Sequence, residues 1–160
     1  MCILSLSMAI ASATATSPSS PPSAPPVPPL PPAPPIAPGF ILATTVAALR
    51  SVLAGAAPGS TLSVALPPGA TFLIGGDPIV LDNVALHLTS SGRGAVLDGA
   101  HLSRCIEVRN SAQVHLAEIS LRNGRAVDAP GGCALVNGSG SELTLDGGGV
   151  VDCEALWDAF

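Results

Sequence analysis

From Ser60 onward, apolar and polar residues alternate in short runs, and glycine, asparagine, serine or proline breaks each run. Such short alternating runs predict β-strands, because successive side chains of a strand point to opposite faces. Candidate strands are 62–66, 71–74, 79–81, 84–89, 94–97, 105–109, 113–116, 118–122, 133–136, 142–145 and 149–152. Ahead of them, "TTVAALRSVLAGAAPG" (44–59) places Val46, Leu49 and Leu53 at helical spacing. Thr44 or Thr45 offers an N-cap, and Pro58-Gly59 stops the pattern. One amphipathic helix is therefore followed by eleven short strands with no second helix.

The strand segments repeat. "RCIEVRNSAQVHL" (104–116) lies over "GCALVNGSGSELTL" (132–145): Cys105 matches Cys133 and Val108 matches Val136, each 28 residues apart. Val114 matches Leu143 and Leu116 matches Leu145, each 29 apart, so one residue enters at a turn. Leu86, His87 and Leu88 precede Val114, His115 and Leu116 by 28. A period of this length, made of strands and turns, predicts an all-β solenoid whose coils bury their apolar faces by stacking. Leu86, Leu88, Val114, Leu116, Leu143 and Leu145 then face inward, and His87, His115 and Thr144 face outward. The helix at 44–55 serves as the cap over one end.

The segments "TVAALRSVLAGAAPGSTLSVALPPGATF", "AVLDG", "ISLRNG" and "GGCALV" resemble the opening of right-handed, single-stranded parallel β-helix proteins of the pectin-lyase-like class. More narrowly, they are similar to the repeats of polymorphic outer membrane proteins, which carry Gly-Gly-Ala-aliphatic and Phe-x-x-Asn motifs. Gly131-Gly132-Cys133-Ala134-Leu135 is a variant of the first, with a cysteine inserted. Ile119-Ser120-Leu121-Arg122-Asn123-Gly124 stands in place of the second, with Ile or Leu where Phe is expected. The resemblance covers about residues 44–155 and implies a surface-exposed or secreted, often adhesive repeat without catalysis.

Composition divides the chain further. Twelve of the 17 prolines lie between Pro18 and Pro38, and every charged residue falls at or after Arg50. Residues 1–15 ("MCILSLSMAIASATA") read as a secretory signal, apolar and then small, although without a basic start. Residues 16–39 read as a polyproline II spacer with a register of three, PPV-PPL-PPA-PPI. Residues 40–160 form the β-helix domain, which stops after about three coils at "CEALWDAF" with no capping signal, as a truncated helix would. No segment is apolar for the roughly 20 residues a membrane helix needs. Net charge is −5 and every cation besides histidine is arginine, so no basic face for nucleic acid is expected.

Candidate chemistry is sparse. Cys105 and Cys133 occupy equivalent places about 5 Å apart in adjacent coils, within reach of a disulfide. Two readings stay open for them: a Cys105–Cys133 bond, or an inward ladder of small apolar thiols. Cys153 leaves an odd count once Cys2 departs with a signal peptide. His87 and His115 stack on one outer face, with too few partners for a metal. Asp98, Asp146 and Asp152 read as turn acids, not as the paired carboxylates a glycosidase requires. Arg104, Arg109, Arg122 and Arg125 suit an acidic polysaccharide or a solvated mixed face. Asn137-Gly138-Ser139 is an N-glycosylation acceptor at an expected turn. No catalytic residue, metal site or cofactor is expected. The leading expectation is a secreted or surface-displayed structural and adhesive module meeting polysaccharide or wall components. The alternative is a fragment of a polysaccharide lyase or glycoside hydrolase.

Overall fold

The computed structural model describes residues 39–127 and 129–156. The signal and spacer expected over 1–39 lie outside the described residues, Gly39 excepted. The elements run β1 (Ile41–Leu42), α1 (Val46–Ala54), β2 (Thr61–Ala65), β3 (Thr71–Leu73), β4 (Ile79–Asp82), β5 (Ala85–Thr89), β6 (Ala95–Asp98), β7 (Ile106–Arg109) and β8 (Gln113–Ala117). They continue as β9 (Ile119–Arg122), β10 (Arg125–Val127), β11 (Ala134–Asn137), β12 (Glu142–Asp146), β13 (Val150–Val151) and β14 (Glu154–Leu156). Each of the eleven expected strands is present within one residue at either end.

Every strand pair is parallel, and twelve of the fourteen strands form three stacked sheets. Sheet A is ordered β1-β2-β5-β8-β12, sheet B β3-β6-β9-β13 and sheet C β4-β7-β11. Strands β10 and β14 pair only with each other. The chain is thus an all-β solenoid: coil 1 holds β2 to β4, coil 2 β5 to β7, coil 3 β8 to β11, and coil 4 β12 to β14.

The register matches the repeat residue by residue. Leu86 pairs with Val114 and Val114 with Leu143; Leu88 pairs with Leu116 and Leu116 with Leu145; Val108 pairs with Val136. The interior is built from such rows, joined by Phe72-Leu97-Leu121 of sheet B and Ile79-Ile106-Ala134 of sheet C. Burying each Leu or Ile in these rows is worth about 1.5–3 kcal/mol. The last strand of each sheet (β12, β11 and β13) has its inward residue in the expected register but does not bury it: Leu145 is 37% exposed, Val136 44% and Val150 55%. Their partners one coil below, Leu116, Val108 and Leu121, are each at 0%.

At the other end, α1 covers the first coil. Thr45 caps it, its Oγ1 accepting from Ala48 N–H at 3.1 Å. Leu49 is fully buried, and Arg50 ties the helix to coil 1 through the carbonyls of Ile74 and Asp77 and the Asp77 carboxylate.

The corners are uneven. Between sheets A and B, coils 1 and 2 each spend five residues (66–70 and 90–94), whereas coil 3 turns on Glu118 alone. Between sheets B and C the corner grows from five residues (74–78) to seven (99–105) to eleven (123–133, including β10). Asn83 and Asn110 open the corner after sheet C with φ of 48° and 51°, the left-handed region that asparagine tolerates.

Candidate functional site

The outer face of sheet A is the candidate site. Its outward positions form three rows in register: Thr61-Ala85-Gln113-Glu142, Ser63-His87-His115-Thr144 and Ala65-Thr89-Ala117-Asp146. His87 and His115 are stacked, with ring centroids 4.8 Å apart and planes at 20°. Phe40, which enters sheet A just ahead of β1, meets His87 edge-on at 5.3 Å and 65°. By register Phe40 belongs beside Ser63, and the small serine lets it reach across to coil 2. The three rings make an aromatic stripe along the solenoid axis. Beside it runs a shallow groove of about 280 Å³, lined by Thr61, Ala85, His87, Gln113, His115, Glu142 and Thr144. Glu142 is the charged residue in that lining, and its Oε1 accepts from Thr144 Oγ1 at 3.4 Å.

The four clustered arginines do not come together on this face. Arg104 is spent on backbone, donating from Nε to Gly131 O and from Nη2 to Pro130 O, both at 2.8 Å. Arg109 pairs with the buried carboxylate of Glu107 at 2.7 Å, which supplies the partner a buried charge needs. Arg122 ends β9 beside Asp98, and Arg125 opens β10.

Two aspartates serve the stacking. Asn123 Nδ2 donates to both carboxylate oxygens of Asp98 at 3.0 Å, and the Ala100 N–H adds a third bond at 2.8 Å. Asn110 Nδ2 does the same to Asp82, at 2.9 and 3.0 Å. Each asparagine reaches back one coil, so each pair staples neighbouring coils. Asp146 ends β12 and Asp152 turns the chain after β13. No group of three or more His, Cys, Asp or Glu side chains is arranged to hold a metal ion among the described residues.

The cysteines correct the sequence expectation. Cys105 and Cys133 are neighbours in register, but the disulfide joins Cys133 to Cys153, with Cα atoms 5.2 Å apart. The physical reason lies in the long corner of coil 3. That corner returns Cys133 against Gly124, where an added Cβ would sit 2.6 Å from Cys133 Sγ. In coil 4 the place above Gly124 is Cys153, because Arg125 pairs with Glu154. Cys105 stays free and buried, its Sγ donating to Leu97 O at 3.3 Å and Arg122 O at 3.4 Å. Burial pushes its thiol up to about 11.

In the Gly-Gly variant, Ala134 faces the core beside Ile106, while Leu135 pairs with Glu107 on the outer side. Gly132 is required by close approach, since a Cβ there would lie 2.6 Å from the Glu154 backbone nitrogen. Asn137 ends β11 exposed, and its turn is tied to coil 2 by Ser111 Oγ donating to Ser139 O at 2.9 Å. Phe40 and the Cys153 partner escaped the sequence expectations. The cue to Phe40 was Ser63, a small residue in the row that carries imidazoles one and two coils later.

No helix among the described residues is long and apolar enough to cross a membrane. Comparison with family models, curated proteins and solved structures finds no match to this chain.

Proposed function

We propose that this chain is a secreted or surface-displayed, non-catalytic β-helix module that adheres to polysaccharide or other wall components. The observation that carries the reading is how the carboxylates are used. Asp82 and Asp98 are each gripped at both oxygens by an asparagine of the next coil, so they act as staples. Glycoside hydrolysis needs two carboxylates free to work as acid and base or nucleophile. The outer face of sheet A stays open, with an aromatic stripe on which a sugar ring can stack and Thr61, Gln113 and Thr144 to hydrogen-bond its hydroxyls. The Cys133–Cys153 disulfide favours an oxidising compartment, in keeping with secretion. The resemblance to pectin-lyase-like and polymorphic outer membrane protein repeats points to display in the same way.

The rival, a polysaccharide lyase or glycoside hydrolase fragment, draws on one observation: His115 and Glu142 share the groove. Co-sedimentation of the full chain with insoluble pectin, alginate and β-glucan, with product assays on the same samples, separates the two. Adhesion predicts saturable binding to at least one polymer, weakened at least tenfold by His87→Ala plus His115→Ala, with no new reducing ends or unsaturated products. Sustained turnover overturns the adhesive reading, and so does failure to bind any of the three.

A further inference from the structure

Three cysteines from three successive coils meet at the corner between sheets B and C, and two of them are bonded. Cys105 immediately precedes β7 and Cys133 immediately precedes β11. The register Ile106–Ala134 sets them side by side, and the Cys105 N–H donates to the Cys133 carbonyl at 2.8 Å. Residues stacked at the strand spacing lie about 5 Å apart, inside the Cα range of a disulfide. Both sulfurs border the same stretch of backbone. Cys105 Sγ donates to Arg122 O at 3.4 Å, and Cys133 Sγ packs where Gly124 lacks a side chain. Cys133 therefore has a bonded partner in the coil above, Cys153, and an unbonded thiol in the coil below.

We propose that Cys105 is a resident alternative partner for Cys133, and that internal thiol–disulfide exchange moves the crosslink from Cys133–Cys153 to Cys105–Cys133, unlatching coil 4. The Cys105 thiolate attacks Cys133 Sγ. The Cys105–Cys133 bond forms as the Cys133–Cys153 bond breaks, and the electron pair leaves on Cys153 Sγ. Cys153 takes up a proton from water in place of the one Cys105 released. One disulfide and one thiol stand on each side, so the step needs no oxidant or reductant.

The exchange transfers the covalent tie from coils 3 and 4 to coils 2 and 3. Coil 4 is then held by strand pairing and the packing of Leu143, with Leu145, Val150, Val151 and Leu156 already exposed. The structure also supplies the restraint. Burial keeps Cys105 protonated, and the nearby Asp98 charge works in the same direction. Of the surrounding cations, Arg104 is spent on Pro130 and Gly131, and Arg122 reaches the thiol through its carbonyl. The thiolate is the attacking species, so the exchange is dormant near neutrality and accelerates about tenfold per pH unit below the thiol's pKa.

The test uses the full chain with Cys2→Ser, which leaves these three cysteines. Samples held at pH 7, 8 and 9 are pulsed with iodoacetamide under one common condition and digested with trypsin plus Glu-C, which separates all three sites. A Cys105–Cys133 linked peptide is expected to appear as Cys153 becomes alkylated. The rate should be independent of protein concentration and rise about tenfold per pH unit. Hydrogen exchange in residues 142–156 should rise in parallel. Cys105→Ser, or Cys105→Ala if a buried hydroxyl impairs folding, should abolish Cys153 alkylation. The proposal is overturned by Cys153 alkylation without the new crosslink, by a concentration-dependent rate, or by absence of the crosslink up to pH 10. Unchanged Cys153 alkylation in the Cys105 variants overturns it equally.

Discussion

Coil 2 and coil 4 follow one pattern and reach different states. In residues 85–109 the inward positions are sealed: Leu88 is 1% exposed and Leu97 0%. In residues 142–156 the residues of the same rows stand 37% exposed or more at Leu145 and Val150. Alternation decides which way a side chain points; the next coil decides whether it is buried. At the opposite end that service comes from a different element, α1, whose Leu49 closes the first coil. Stability in this architecture is therefore graded along the axis, as expected when each repeat contacts only its neighbours.

The contrast can be broken at several points. The largest effect is expected from Leu116→Ala, which removes a fully buried side chain and should cost about 2–5 kcal/mol in urea denaturation. Leu145→Ala, in the same row one coil later, should cost about 1 kcal/mol or less, because its side chain is already partly in water. Equal losses at the two sites would mean that coil 4 is covered in solution. Cys153→Ser removes a crosslink spanning 20 residues and should cost about 3 kcal/mol, concentrated in coil 4. Amide exchange should then accelerate in 142–156 while 85–109 keeps its protection; a uniform loss would show that the coils unfold as one unit. Asn123→Ala deletes the staple to Asp98 and places alanine at φ 50°, for about 1–2 kcal/mol by thermal denaturation. Thr45→Ala removes the cap of α1 and should cost about 1 kcal/mol, the smallest change and the one that probes the covered end.

Most of the fold could be read from the sequence because stacking forces equivalent residues to recur: sheet C recurs at 27 and 28 residues, and sheet A from β5 onward at 28 and 29. Val114 and Leu143, or Val108 and Val136, announce their pairing by position alone. Strands β1, β10 and β14 could not be read so. They are two or three residues long, too short to show alternation, and β10 and β14 find partners only because the coil 3 corner swings outward. The cysteine partner was misjudged for a related reason. Register orders residues along the stack, but the bond to Cys153 depends on how that corner folds within its coil. A cysteine placed 29 residues beyond a glycine, Gly124, was the trace it left in the sequence. The candidate site was half legible: the imidazole pair follows from the period, whereas Phe40 joins it from outside the repeat.

The uneven corners carry a consequence for the outline of the molecule. Between coils 2 and 3, four residues leave the turn between sheets A and B and four more appear in the turn between sheets B and C. The perimeter is nearly conserved while the protrusion slides from one edge to another, and sheets A and C stay in step on either side. Surface relief and core spacing are thus set by separate parts of each coil. Such a scaffold can move a projecting loop around its girth without re-cutting a single interior contact row.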